Sequence, residues 1–310
     1  MTKVLVTGGG GFIGSNLVRG LLEGGDDVRI LDNFSTGNRV NIAGLDVEVV
    51  EGELRSYERV HNAVRGVETV YHLGALGSVP RSVQDPLTSS AVNIEGTLNV
   101  LLAARDEGIR RVVFSSSSSI YGISNPLPLK EEMPPDPISP YGVAKLAAER
   151  YCVSFSRVYG MEIVSLRYFN VFGPRQDPTS QYAAVVPRFI RAIAAGEPVT
   201  IYGDGEQSRD FTFVDNVVSA NLLASDAARA GGEILNVASG ASVTVNALAE
   251  AISAMLGKPL ERTYESARDA DVHASWADLA AARRLLGYEP TVDFAEGLRR
   301  TADYLLGGKD

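Results

Sequence analysis

The 310-residue sequence predicts a doubly wound α/β fold, a parallel sheet with helices on both faces, joined to a smaller C-terminal region. Three observations carry this expectation. Short β-branched runs alternate with longer amphipathic stretches, a glycine triplet stands where the first run ends, and after residue 170 prolines break the alternation into shorter pieces. The runs are, in order, "KVLVTG", "DVRILDN", "VEVVEGE", "TVYHLGA", "RVVFSSS" and "EIVSLRYFN". Strands separated by helices at this spacing form right-handed βαβ units and hence a parallel sheet. After "RYFNVFGPRQDPTSQ", Pro174, Pro178, Pro187 and Pro198 punctuate shorter elements, so a second region starts near Val171. "FTFVDNVVSANLLASDA" reads as a strand cap and helix that return to the first unit, and the C-terminal segment resumes after "NVASG". The expected division is 1–170, with 211–238 returning to it, against 171–210 and 239–310.

Composition excludes several classes of function. A hydrophobic fraction of 45% supports a buried core, and 38 acidic against 29 basic side chains leave a net charge of −9, which disfavours nucleic acid as a partner. The single cysteine, Cys152, excludes an internal disulfide, and His61, His72 and His273 lack metal-ligand spacing, so no metal is expected and a reducing cytoplasm is. The first residues turn on glycine after a short apolar run, and no apolar span approaches the roughly 18 residues that would suggest a membrane helix. Neither secretion nor membrane insertion is expected.

"VLVTGGGGFIGSNLVRGLL" sets Gly8, Gly11 and Gly14 three residues apart between a strand and a helix. Glycines there let the backbone turn tightly beside a pyrophosphate, while the helix N-terminus offers free N–H donors and a positive dipole end. Taken alone, the triplet equally describes a ligand-free turn. The next strand ends in "LDN", which puts Asp32 eighteen residues after Gly14, where a carboxylate accepts hydrogen bonds from an adenosine ribose diol. Such a carboxylate repels a 2′-phosphate, so NAD is favoured over NADP. Glu53 and Leu54, ending the third strand, either flank adenine or belong to a solvated loop.

The segment "SPYGVAKLAAERY" places Tyr141 four residues before Lys145 at the start of a helix, which brings both side chains to one face. There the lysine can lower the phenol pKa and hold a nicotinamide ribose, giving an acid or base for a sugar hydroxyl. Ser117, at the end of the fifth strand, supplies a second hydroxyl. A Tyr-x-x-x-Lys pair alone is also met on solvated helices. Glycine turn, Asp32, serine strand end and Tyr-Lys pair, all in this order, are a different matter.

Together with "LDNFSTG", "HLGALGSVPRS", "VNIEGTLNVL", "SSSSSIYG", "RYFNVFGPRQ", "VVPRFI", "YGDGEQSRDFTFVDNV" and "DVHASWADLA", these segments resemble the extended short-chain dehydrogenase/reductases, within them the NAD-dependent UDP-sugar 4-epimerases, over nearly the whole chain. The resemblance implies a Rossmann NAD-binding domain and a smaller nucleotide-sugar domain. It implies Tyr141 as the catalytic acid/base, Lys145 as its partner and Ser117 as the family serine, four residues before Tyr121. Implied NAD contacts are Gly8, Gly11, Phe12, Ile13, Gly14, Asp32, Asn33, Ser35, Gly37, Glu53, Leu54, Leu73, Ala75, Asn93, Tyr141, Lys145 and Tyr168. Implied UDP-sugar contacts are Asn170, Val186, Arg188, Tyr202, Gln207, Arg209, Arg268 and Asp271. The arginines Arg209 and Arg268 could clamp a diphosphate with forked bonds or lie solvated on the surface. The implied reaction is transient oxidation at C4 of the sugar, which turns over as a 4-keto species and takes the hydride back on its other face.

Sister enzymes of this resemblance need carboxylates beside the catalytic serine or threonine, an Asp-Glu pair for 4,6-dehydration and a Glu for decarboxylation. Here Ser118 and Ser119 occupy those places. Epimerisation needs neither. A non-catalytic NAD sensor has no use for the intact Ser117, Tyr141 and Lys145 set. Ser275 in "DVHASWAD" stands where such epimerases use pocket size to restrict the sugar, so a relaxed pocket is expected, open to UDP-glucose/galactose and to UDP-N-acetylglucosamine or UDP-glucuronate. Ser118, Ser119, Arg175 and either Thr179 or Ser180 could receive a C6 carboxylate. The family's "RxGD" loop reads "RDAD" here, with Ala270 at the glycine position. The helical patterns around "NIEGTLNVLLAARDEG" and "YGVAKLAAERYCVSFSRVYG" suit ordinary core packing and equally the seam of a homodimer, which is the expected assembly.

Overall fold

The computed structural model describes residues 2–177, 184–267 and 272–307. Its centre is a seven-stranded parallel sheet made of β1 (Lys3–Thr7), β2 (Asp27–Asp32), β3 (Glu48–Glu51), β4 (Thr69–His72), β5 (Arg111–Ser117), β6 (Glu162–Tyr168) and a later edge strand, Ile234–Val237. All six runs read as strands in the first half of the sequence are present. The remaining strands are short: β7 (Val171–Phe172), β8 (Val199–Tyr202), β9 (Ser208–Arg209) and β10 (Thr212–Phe213) precede the edge strand, here β11, and β12 (Val243–Thr244) and β13 (Arg262–Glu265) follow it. The sheet order is β11-β6-β5-β4-β1-β2-β3. Strand order therefore reverses at β1, which pairs with β2 on one side and β4 on the other. In open sheets of this kind the crevice beyond the strand C-termini at that reversal is where ligands bind.

The strands are apolar on both faces because helices cover both. Side chains alternate, so Val4, Val6, Val28 and Ile30 join one core with Leu17, Val18 and Leu21 of α1 (Phe12–Glu23) and Val217 and Ala220 of α8 (Val214–Asp226). Leu5, Leu31, Val70 and Phe114 point the other way, onto α2 (Tyr57–Val64), α5 (Gly96–Asp106) and α6 (Pro140–Tyr159). Each fully buried aliphatic side chain contributes about 1.5–3 kcal/mol against exposure. Short helices α3 (Val79–Gln84) and α4 (Pro86–Ser90) lead to a wide π-helical turn, Ala91–Glu95, ahead of α5. A third core, with Phe172, Phe189, Ile190, Ile201, Phe213 and Leu248, ties α7 (Val185–Ala195) to α9 (Val245–Leu256) and α11 (Phe294–Leu306), while α10 (Ala280–Leu286) lies against β11. Among the described residues no helix is long and apolar enough to cross a membrane.

Helix α6 starts where its sequence says it should. The Ser139 hydroxyl accepts the Gly142 N–H at 3.1 Å, Pro140 fills the first helical position, and Gly160 ends the helix at φ +67°. That cap sets Tyr141 in the first turn, against the end of β5.

Candidate active site

A cleft of about 510 Å³ opens at the reversal point, within the usual range for a ligand site. One end is the glycine turn. Gly8 has φ +72°, and a Cβ on it would lie 2.7 Å from the Gly74 Cα, while a Cβ on Gly14 would come within 2.1 Å of the Gly8 carbonyl oxygen. The three glycines thus keep the turn, the β4 end and the first turn of α1 at backbone-to-backbone distance. The first N–H groups of α1 have no intrahelical partners and face this cleft, whose wall includes Phe12, Ile13 and Gly14. Asp32 is 8% exposed and held in place by two backbone donors, Gly10 N–H at 2.8 Å and Phe34 N–H at 2.7 Å. Its oxygens keep lone pairs for a ribose diol. Beside it Glu53 accepts the Asn33 amide at 3.0 Å and the Arg55 guanidinium, which holds its carboxyl below the usual range. A dinucleotide fits this set: a cradle that side chains would fill, open helix N–H donors, and a fixed carboxylate.

Of the implied NAD contacts, all but Asn93 line the cleft. Asn93 sits behind the wall in the π-helical turn, where its Oδ1 accepts the Leu76 N–H at 2.8 Å and its amide donates to the Leu76 carbonyl at 3.1 Å. It braces the 73–77 segment instead. Gly74, Leu76, Gly77 and Val92 complete that wall; the "HLGALG" run is the sequence signal for the first three, and "VNIEGTLNVL" opens on Val92.

A buried relay ties the same segment to the sheet. Thr97 Oγ1 donates to the Asn93 carbonyl at 2.7 Å, so it accepts from His72 Nε2–H at 3.0 Å. His72 Nδ1 is then the bare nitrogen, taking the Thr7 hydroxyl proton at 2.7 Å, and Thr7 Oγ1 accepts the Gly74 N–H at 3.0 Å. Burial pushes the imidazole down to about 3, so it is neutral at physiological pH.

At the other end stand Ser117, Ser118, Ser119, Tyr141, Lys145, Tyr168 and Asn170. Burial raises the Tyr141 phenol pKa, and a hydrogen bond with Ser117 opposes that rise. The Tyr141 N–H donates to Ser82 Oγ at 3.0 Å, which pins the first turn of α6 to α3. Lys145 is 3% exposed and donates to the Ser115 carbonyl at 2.7 Å; burial pushes it down to about 8. Asn170 holds φ +26°, a strained value for a residue other than glycine, at the point where the chain leaves β6 for the cleft.

Among the described residues, the other implied substrate residues do not line this cleft. Gln207 donates to the Tyr202 carbonyl at 2.7 Å, Arg209 pairs across to Val243, and the Ser275 N–H donates to the Ser208 carbonyl at 3.1 Å, so Tyr202, Gln207, Arg209 and Ser275 gather around one loop. Val186 is buried in the third core, and Arg188 borders a shallow hollow with Arg191, Glu197 and Leu306. Arg175 turns away, donating to Asn16 Oδ1 at 2.7 Å with its guanidinium over the Tyr304 ring. Arg268 and Asp271, like Thr179 and Ser180, lie outside the described residues. Among the described residues no cluster of His, Cys, Asp and Glu could hold a metal ion.

Comparison with known proteins agrees with this geometry. The profile of the NAD dependent epimerase/dehydratase family matches residues 4–238. A putative UDP-glucose 4-epimerase of Methanocaldococcus jannaschii is 38% identical over 97% of this chain and 98% of its own. The solved UDP-N-acetylglucosamine 4-epimerase of Methanobrevibacter ruminantium M1, in complex with UDP-N-acetylmuramic acid, superposes with a TM-score of 0.94 at 41% identity, covering 99% of this chain and 98% of that one. At 30% identity, over 97% of both chains, the likeness extends to a UDP-N-acetyl-alpha-D-glucosaminuronate decarboxylase of Bacillus cytotoxicus.

Proposed function

This chain belongs to the NAD-dependent epimerase/dehydratase family, and we propose that it interconverts the C4 epimers of UDP-hexoses. One observation carries the choice within the family. Among the described residues the only carboxylates lining the cleft are Asp32 and Glu53, both beside the glycine turn, and none stands beside Tyr141. Dehydration at C5 and C6 needs further proton-transfer groups there, whereas epimerisation needs one acid/base at O4.

NAD held in the cleft would supply a reversible hydride acceptor for C4 of the sugar, a redox capacity that no side chain of the cleft offers. Asp32 would hold the adenosine ribose, the α1 N-terminus the pyrophosphate, and Lys145 and Tyr168 the nicotinamide side. Tyr141 removes the O4 proton in the forward half and restores it in the return half. Ser117 bonds to the phenol and so limits its burial-driven rise in pKa, and it is placed to share the sugar hydroxyl. Burial pushes Lys145 down to about 8, and as a cation one helical turn from Tyr141 it would favour the phenolate. The loop carrying Tyr202, Gln207 and Arg209 would grip the UDP part while the sugar turns over. Ser275 beside it, and Ser118 and Ser119 in the cleft, are small enough to leave room for an N-acetyl or C6 carboxylate group; the similarity to an epimerase solved with UDP-N-acetylmuramic acid supports that breadth.

Proton NMR of the purified protein with UDP-glucose, UDP-N-acetylglucosamine or UDP-glucuronate, without added NAD, tests the reading. The C4 epimer of UDP-glucose and of at least one larger sugar is expected. A pentose product from UDP-glucuronate would move the protein to the decarboxylases, the second reading that the Bacillus relative raises.

A second copy of the chain is the proposed partner. Val143, Tyr151 and Val158 form a stripe along α6, and Val83 and Leu87, 63% and 83% exposed, lie beside it on the packed helices α3 and α4. A dimeric mass in solution, reduced to the monomer by Leu87→Asp, is expected; a wild-type monomer at micromolar concentration would remove the partner.

A further inference from the structure

The catalytic face of α6 carries a third polar residue that the reaction does not consume. Tyr141, Lys145 and Glu149 recur every four residues, so they share one face of the helix. Glu149 is fully buried, and its carboxylate makes three bonds. Oε2 accepts the Ser116 hydroxyl at 2.7 Å and Arg167 Nε at 3.0 Å, and Oε1 accepts Arg167 Nη2 at 2.7 Å. Ser116 and Arg167 are direct partners across β5 and β6. One carboxylate thus grips two adjacent strands at the same rung, and a forked guanidinium fixes its orientation.

Stability alone does not account for such a pair. Arg167 is 1% exposed, its guanidinium stacked over Tyr121, and a buried ion pair gains little over apolar side chains of the same volume because both ions lose their hydration. Geometry does account for it. Helix α6 touches the serine run at three levels: a Cβ on Gly142 would lie 2.7 Å from the Ser119 carbonyl oxygen, Lys145 donates to the Ser115 carbonyl, and Glu149 holds Ser116. The first contact limits approach, and the other two fix rotation and slide. Ser117, whose hydroxyl meets Tyr141, follows Ser116 directly.

We propose that Glu149, through its fork to Arg167 and its bond to Ser116, is a positioning residue that sets α6 against β5 and so places Tyr141 and Lys145 over Ser117. The proposal rests on the epimerase reading for its kinetic test and on the structure alone for a second test. Glu149→Leu combined with Arg167→Met removes both charges at similar volume, so no lone ion is left buried. The double variant is expected to keep its thermal midpoint and KM within about twofold, and to lose kcat on the order of 10²-fold, as misplacement by about an ångström does. Hydrogen exchange of the 139–146 amides, followed by mass spectrometry, is expected to accelerate in the same variant. Parent-like kcat with parent-like exchange would overturn the proposal. If the double variant does not fold, Ser116→Ala decides: a several-fold loss of kcat at constant KM supports the positioning role, and none overturns it. If the parent converts no UDP-sugar, the proposed function fails, and the exchange comparison still judges the positioning of α6.

Discussion

Tyr141→Phe is expected to lower kcat by about 10²–10⁴-fold, the usual contribution of a positioned general acid/base, with folding and NAD content unchanged. The substitution removes one oxygen. The bond that anchors the first turn of α6 runs from the Tyr141 backbone N–H to Ser82, and the Ser139 cap does not involve the ring, so the helix start survives. Ser117 keeps a partner too, since its Oγ also accepts the Ser119 N–H at 3.2 Å. A steady-state assay of UDP-glucose and UDP-galactose interconversion checks this, and a loss smaller than about threefold would remove Tyr141 from its assigned role. The sign of the pH effect follows from the same contacts. Burial raises the phenol pKa and the Ser117 bond lowers it, so Ser117→Ala raises it further. The base form then appears later, and the rising limb of the rate profile moves to higher pH.

Gly14→Ala is expected to cost the protein its cofactor. The new methyl would lie 2.1 Å from the Gly8 carbonyl oxygen, 2.9 Å from the Gly8 carbonyl carbon and 2.9 Å from the Gly9 Cα, all backbone atoms that no rotamer change can move aside. Helix α1 must therefore back away from the turn, at about 1–3 kcal/mol for overpacking, and it carries its N-terminal donors with it. With each 1.4 kcal/mol worth tenfold in affinity, a cost of that size borne by the NAD-bound turn should weaken NAD binding by about 5- to 150-fold. The NAD content of the purified variant, measured after denaturation, reads this out beside the thermal midpoint. Retention equal to the parent would mean that the glycine cradle is not the pyrophosphate site.

The features legible in the sequence are those whose cause is local. Strands β1 to β6 are short apolar runs bounded by turn residues, and the glycine turn, Asp32, Ser117 and the Tyr141–Lys145 pair sit in contiguous motifs, so their geometry follows from strand and helix periods. The two-residue strands β7, β9 and β12 leave no such trace, because pairing with distant segments creates them, whereas β10 is marked by the "FTF" that precedes α8. Polar residues inside apolar patterns were equally silent. Glu149 finds Arg167 eighteen residues away, and His72 finds Thr7 and Thr97 at 65 and 25 residues. Asn93 is the reverse case: a motif marks it, but the π-helical turn sets it behind the cleft wall. Arg175, read from sequence toward a sugar carboxylate, has φ +69° and closes on Asn16 of α1, a direction set by backbone conformation that a residue string does not carry.

The most direct measurement is proton NMR of the protein acting on UDP-glucose deuterated at C4. If NAD takes the hydride from C4 and returns it within one turnover, deuterium stays at C4 in both UDP-glucose and UDP-galactose, and solvent protons do not enter. Loss of deuterium to water, or its appearance at another carbon, would contradict the account.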